Sequence, residues 1–203
     1  DIKTPVATIK SYANALEAGL VPEEKKKDIY RIIDAKVNRV QKLTDDMFMM
    51  LKMDNPDYKL NPEAVNLSEY LRQLCAEYYE EITEAGFEFV IDIPESEIKS
   101  KIDTDLFTRV VGNLLSNAKK YNKTGDTISM SLVENSDKII LAVFDNGNEI
   151  DKAFAEQMFD AFSRGDKARK TDGGTGLGLA ISRIIVEKHD GNLKYCRKGN
   201  ENV

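Results

Sequence analysis

The chain has 203 residues, 41% of them hydrophobic and 32% charged, the balance of a folded globular chain of one or two domains. A formal net charge of -6 offers no overall positive field to phosphate backbones, which counts against nucleic acid as a partner. Two cysteines, Cys75 and Cys196, fall outside any ligand-spaced cluster, so neither a zinc site nor a disulfide scaffold is expected, and no run of about 18 apolar residues is present to cross a bilayer.

From the first residues the apolar positions follow helical steps. Ile2, Val6, Ile9, Ala13, Leu16 and Leu20 make a heptad seam, which breaks at Gly19–Pro22, a glycine near a helix end and a proline suited to starting the next. Ile29, Ile33, Val40, Leu43, Met47 and Met50 then repeat the seam. So short a connection makes the helices antiparallel, a hairpin over residues 1–55 that ends at Asn55-Pro56-Asp57. A lone hairpin cannot bury both seams. Pairing with a second copy into a four-helix bundle is one solution, and packing onto the rest of the chain is the other.

Residues 56–203 read as an α+β layer. A short strand at Ala64–Leu67 leads into a helix capped by Ser68 and running to about Ala85, and Phe87–Ile93 alternates as a half-buried strand. A second helix is expected over Thr104–Tyr121. Strands Thr127–Val133 and Lys138–Phe144 then form a hairpin. Asp151–Phe159 is a short helix, and a polar, glycine-bearing loop covers Ser163–Thr175. A helix over Leu177–Lys188 and a strand over Asn192–Cys196 close the layer.

Within this layer several segments carry chemistry. Asn113 and Asn117 lie four apart on one helix face, with Lys120 and Tyr121 a turn further, offering amide oxygens, a cation and a ring. An ordinary polar helix face reads the same way. Asp145-Asn146-Gly147, after the apolar strand, is either a tight turn or a carboxylate placed to accept from an amino group. Phe159 and Phe162 bracket a turn before a basic loop, either as buried anchors or as plain core, and Arg164 stands at the loop's root. Gly173-Gly174-Thr175-Gly176-Leu177-Gly178 opens into a helix, as a hinge or as a set of backbone N–H groups for an anion. It is neither a dinucleotide fingerprint nor a P-loop, because no strand immediately precedes it and no Gly-Lys-Ser/Thr follows.

Taken in order, these segments resemble the N, G1, F and G2 boxes of bacterial histidine kinases, and Asp1-Ile2-Lys3-Thr4-Pro5 resembles the tail of that family's H-box. The resemblance covers almost the whole chain. It implies a dimerising phosphoacceptor hairpin followed by a Bergerat-type α/β sandwich that binds ATP with Mg²⁺. Carried onto this sequence, Asp145 takes the adenine amino group beside Gly147, and Asn117 coordinates Mg²⁺ while Asn113 supports the phosphates. Lys120 contacts the phosphate chain, Tyr121 lies near the nucleotide and Arg164 reaches the γ-phosphate. Gly174, Thr175, Gly176, Leu177 and Gly178 form the hinge of the nucleotide lid.

Asp1 matches the general base beside the acceptor histidine, and Thr4 matches the residue that orients water during dephosphorylation of a partner. The implied activity is autophosphorylation on a histidine expected just before Asp1, then transfer to an aspartate of a response regulator. The expected setting is the cytoplasmic portion of a parent anchored in the plasma membrane by an upstream segment, with the present chain unable to phosphorylate itself. The sole histidine, His189, lacks the H-box context and reads as structural. The family carries a further glycine where this chain has Glu149. A left-handed backbone there would cost glutamate on the order of 1 kcal/mol. The family's domains also end in a closing strand, which is not expected before Val203. The rival reading is a degenerate nucleotide-binding scaffold. A gyrase-like ATPase fits poorly, because Asn113 stands where those enzymes carry their glutamate base.

Overall fold

The two apolar seams form helices α1 (Lys3–Glu17) and α2 (Glu23–Asp54). What stops α1 is a Schellman turn: Gly19 takes a left-handed φ of 66°, its N–H donates to the Leu16 carbonyl at 3.1 Å, and the Leu20 N–H donates to the Ala15 carbonyl at 3.0 Å. Pro22 then caps α2, whose first turn carries Glu23 and Glu24, favourable at the positive end of a helix dipole. The computed structural model describes residues 2–136, 138–163 and 174–203. It divides into two compact units, Asp1–Tyr58 with Asp160–Ile181, and Lys59–Phe159 with Ser182–Val203.

In the first unit the hairpin leaves much of its seam in water. Pro5 alone is buried on α1, and Leu43, Asp46 and Met53 on α2. Val6, Leu20, Val37 and Met47 are exposed, together with Tyr30, Phe48 and Leu51.

The second unit is the expected α+β layer. A sheet of order β2-β4-β5-β7-β6 is built from β2 (Glu88–Asp92), β4 (Thr127–Glu134), β5 (Ile139–Asp145), β6 (Arg197–Lys198) and β7 (Glu201–Asn202). β2 runs parallel to β4, and the remaining pairs are antiparallel. β4 alternates strictly, sending Ile128, Met130 and Leu132 into the core. Helices α3 (Leu67–Glu84) and α4 (Thr104–Tyr121) supply the other half of that core, and the short α5 (Lys152–Gln157) follows β5. Leu67, Leu71, Leu74, Cys75 and Ile82 come from α3, and Val111, Leu115 and Ala118 from α4, each at helical spacing. Cys75 packs its Sγ 3.4 Å from Met130 Sδ, and burial pushes its thiol up to about 11. Lys119 on α4 is ion-paired with Glu81 on α3.

Several elements differ from the sequence reading. The cap of α3 is Asn66, whose side chain accepts from the Glu69 N–H at 3.3 Å. Ser68, expected as the cap, is instead buried and donates to the Ser96 carbonyl at 2.8 Å. A polar strand β3 (Lys99–Ile102) pairs antiparallel with β1 (Glu63–Asn66), apart from the main sheet. Residues 192–196 form no strand. The chain pairs one step later, as the β6–β7 hairpin, with Cys196 and Val203 exchanging backbone hydrogen bonds at 2.9 Å. The last strand, β7, is two residues long.

Helix α4 is pinned where it begins. Asp103 caps it, one carboxylate oxygen accepting from the Leu106 N–H at 3.3 Å and the other from the Asn61 N–H at 3.0 Å. Its own N–H donates to His189 Nε2 at 2.9 Å, just past the end of α6 (Gly178–Lys188). The other ring nitrogen, Nδ1, lies 2.7 Å from the Ile185 carbonyl, and the ring stands edge-on to Phe107 at 5.9 Å. A backbone N–H only donates, so Nε2 is the acceptor and Nδ1 carries the proton. His189 is structural, as its sequence context suggested. Asp190, directly after it, holds a left-handed φ of 58° as α6 ends. His189→Ala strands the Asp103 N–H, and we expect a stability loss of about 1–3 kcal/mol in urea unfolding. A midpoint unchanged from wild type would show that the pin is not needed.

Candidate functional site

Helix α4 presents the expected face. Asn113 and Asn117 are both half-buried, and Asn113 Nδ2 donates to Ser182 Oγ on α6 at 3.2 Å. A turn further on, Lys120 Nζ sits 3.1 Å from the Tyr121 hydroxyl and 4.8 Å from the ring centroid, a cation–π contact at an exposed ring. The chain leaves α4 at Asn122, whose Nδ2 donates back to the Ala118 carbonyl at 2.7 Å.

Asn122 also brings α4 up to the turn that follows β5. A Cβ placed on Gly147 would lie 1.5 Å from Asn122 Oδ1, so only glycine fits beneath that amide. Asp145 ends β5, and its Oδ1 accepts the Gly147 N–H at 3.0 Å and Asn202 Nδ2 at 2.7 Å. Asn146 holds the turn to the sheet, its side-chain oxygen accepting from the Thr127 N–H at 2.8 Å. Arg197 reaches the Gly147 carbonyl from the far side at 3.2 Å. The turn reading and the carboxylate reading of this segment are thus compatible: the turn is what aims the carboxylate. Glu149 imposes no strain. Among the described residues only Phe162 and Asp190 are non-glycine positions with left-handed backbone.

Tyr195 belongs to the same cluster, donating its hydroxyl to Asn202 Oδ1 at 2.9 Å. Burial is the largest influence on its phenol and raises its pKa, as do the carboxylates of Glu149 and Asp145, against the opposing pull of Arg197 and a backbone hydrogen bond at Ile150. The phenol therefore stays a donor. Sequence reasoning missed Asn122, Tyr195, Arg197 and Asn202. Only Asn122 carried a local signal, standing next to the Lys120-Tyr121 pair.

The remaining expected residues lie in the first unit or outside the described residues. Gly174 and Gly176 have φ of 122° and 72°, conformations that a side chain would resist. Between them Thr175 is 6% exposed and donates to Asp46 Oδ2 at 2.8 Å, while its hydroxyl oxygen accepts from the Leu177 N–H at 3.2 Å. Leu177 is fully buried, and its carbonyl takes a hydrogen bond from Ile181 in the first turn of α6, which Gly178 opens. Phe162 N–H donates to the Gly176 carbonyl at 2.8 Å with a left-handed φ of 63°. Phe162 is 53% exposed, so it is no buried anchor; the turn is held through backbone instead. Thr4 is exposed in the first turn of α1, where its carbonyl accepts from Thr8 Oγ1 at 3.0 Å. Asp1 and Arg164 lie outside the described residues, as do Lys167, Arg169, Lys170 and Gly173.

The Asn122–Gly147 packing yields a specific expectation. Gly147→Ala forces Asn122 off its seat and lowers stability by about 1–3 kcal/mol, the cost of overpacking. Adding Asn122→Gly makes room, so the double variant recovers part of the loss. Strictly additive thermal shifts would show that the two residues do not compete for that space.

Residues 1–56 match the model of the His Kinase A (phospho-acceptor) domain, and residues 102–202 match that of the histidine kinase-, DNA gyrase B-, and HSP90-like ATPase. The sensor histidine kinase WalK of Bacillus subtilis is 34% identical over 200 residues, a match covering 95% of this chain and 32% of WalK. The chain thus spans about a third of that relative. The fold matches the histidine kinase AdeS of Acinetobacter baumannii with a TM-score of 0.80, at 19% identity over 98% of this chain and 92% of AdeS. It also matches the histidine kinase ThkA, solved in complex with the response regulator protein TrrA. There the TM-score is 0.78 and identity 22%, covering 99% of this chain and 56% of ThkA. With its hairpin, its ATPase-type layer and its ordered motifs accounted for together, the chain belongs to the sensor histidine kinases.

Proposed function

We propose that the protein carrying this chain moves the γ-phosphoryl group of Mg-ATP onto a histidine and then onto an aspartate of a response regulator. The observation that carries the reading is the setting of Asp145. A half-buried carboxylate at a strand end has one oxygen saturated by two N–H donors, beside a glycine with no room for a side chain. Such a group is prepared to accept one further hydrogen bond from a base amino group.

The other residues fit a magnesium nucleotide. Among the described residues no cluster of three or more His, Cys, Asp or Glu side chains is placed to hold a metal. Mg²⁺ does not need one, because it commonly travels with substrate phosphates and takes only one or two protein oxygens. Asn117 is the proposed protein ligand, with Asn113 on the same face supporting the phosphates. Lys120 and Arg164 offset phosphate charge, and Tyr121 lies near the nucleotide. Gly174, Thr175, Gly176, Leu177 and Gly178, which lead into α6, are proposed as the hinge of the nucleotide lid. Mg-ATP supplies the transferable phosphoryl group; the residues of this chain orient it and neutralise charge, as such transfers require. Asp1 is proposed as the base beside the acceptor histidine, and Thr4 as the residue that orients water when the regulator is dephosphorylated.

The exposed seam of the hairpin supports a homodimer. α2 is 32 residues long and buries only Leu43, Asp46 and Met53, whereas a four-helix bundle would cover Val37 and Met47 and, on α1, Val6. The response regulator is expected to dock on the same hairpin. No helix among the described residues is long and apolar enough to cross a membrane.

Two experiments test these proposals. A longer chain that includes the histidine and the helix ahead of Asp1 should take an acid-labile label from γ-labelled ATP and lose it with Asn117→Ala. Nucleotide binding without any label would favour the scaffold reading instead. In sedimentation equilibrium the chain should behave as a dimer at micromolar concentration, and Val6→Glu with Val37→Glu should shift it to a monomer of unchanged helicity. A monomeric wild type at all concentrations would refute the bundle.

A further inference from the structure

Asn202 sits where the last strand meets the turn after β5. It is 5% exposed, and every hydrogen-bonding position of its amide is used. Its Oδ1 accepts from the Tyr195 hydroxyl at 2.9 Å and from an Arg197 guanidinium nitrogen at 2.8 Å. Its Nδ2 donates to Asp145 Oδ1 at 2.7 Å and to the Asn148 carbonyl at 3.1 Å. A reversed amide would turn N–H groups toward the guanidinium and an oxygen toward the carboxylate, so only one orientation is compatible with its neighbours.

The consequence falls on Asp145. The Gly147 N–H also donates to Oδ1, at 3.0 Å, so both donors converge on one carboxylate oxygen. A carboxylate held by two donors on the same oxygen is no longer free to rotate, and Oδ2 is the oxygen that remains for a ligand. Register supports the arrangement: β5 and β7 pair at Asp145 and Asn202. Arg197, through its hydrogen bond to the Gly147 carbonyl at 3.2 Å, ties the same turn to β6.

We infer that Asn202 is the positioning residue that gives the nucleotide site its preference for adenine, by locking Asp145 so that Oδ2 meets the base's amino group. The inference rests on the nucleotide-binding reading above. A locked acceptor discriminates more strongly than a mobile one. Adenine brings a donor to it, whereas hypoxanthine, with a carbonyl at that position, brings an acceptor that a fixed carboxylate cannot turn away from. Tyr195 and Arg197 act one step further back, by holding the amide that holds the carboxylate.

The test is calorimetric titration of the 203-residue chain with ADP and with IDP. The wild-type chain should favour ADP by about tenfold or more, the worth of one charge-assisted hydrogen bond. Asn202→Ala should weaken ADP by about tenfold while leaving IDP within about twofold, so that the preference collapses. Asn202→Asp, which sets a second carboxylate against Asp145, should weaken ADP further. Tyr195→Phe removes a single donor to the amide and keeps the ring. It should reduce the ADP preference by about two- to threefold, and it decides the matter if Asn202→Ala fails to fold. Equal losses for ADP and IDP in Asn202→Ala, or an undiminished preference in Tyr195→Phe, would assign Asn202 to general stability and overturn the inference. In that event nucleotide binding itself would stand, whereas a wild-type chain that binds neither nucleotide would remove the reading beneath it.

Discussion

The start of α4 is the constraint on which the second unit depends. A helix N-terminus leaves N–H groups without intrahelical partners, and the residue that caps this one also reaches beyond the helix. Asp103 satisfies the Leu106 N–H from within the helix, takes the Asn61 N–H from the incoming chain and gives its own N–H to His189. Three segments far apart in sequence are thereby joined at one residue. Because α4 is rigid and its inner face is packed by Val111, Leu115 and Ala118, fixing its first turn also fixes its last. Asn113, Asn117 and the Asn122 contact with Gly147 all inherit their placement from that junction.

The site shows how a weakly structured segment is made precise by its neighbours. A three-residue turn such as Asp145-Asn146-Gly147 has little rigidity of its own. It acquires definition from packing beneath Asn122, from the Arg197 hydrogen bond to its carbonyl, and from the Asn202 amide on its carboxylate. Each contact comes from a different element and holds a different part of the turn. A binding group built this way meets its ligand with its entropy already reduced, which is the physical meaning of preorganisation.

Much of this was legible in the sequence, and the boundary of legibility has a physical cause. Helix α4 was expected at its observed limits because strong apolar periodicity coincides with an aspartate cap and a polar stop. The hairpin was visible for the same reason, its seams and glycine break being local signals. Strand β3 was not, since Lys99-Ser100-Lys101-Ile102 has a single apolar residue to mark it. The cap of α3 was misplaced by two positions because Asn66 and Ser68 are both capping residue types. Burial, which sequence does not display, assigned Ser68 to another task. Asn202, Arg197 and Tyr195 were invisible as site residues because their role is defined only by what a distant turn places beside them.

The pair Asp46 and Thr175 has a consequence of another kind. The two residues are separated by 129 positions, are nearly inaccessible to water, and share one hydrogen bond. Replacing either alone takes that bond from its counterpart, and an apolar residue at position 175 also strands the Leu177 N–H. Substitution at one position is therefore conditional on the residue at the other. The glycine-rich turn, which reads as a self-contained motif, carries a tolerance for change that is written partly in the middle of α2. Any attempt to graft that turn into another protein would have to bring its aspartate along.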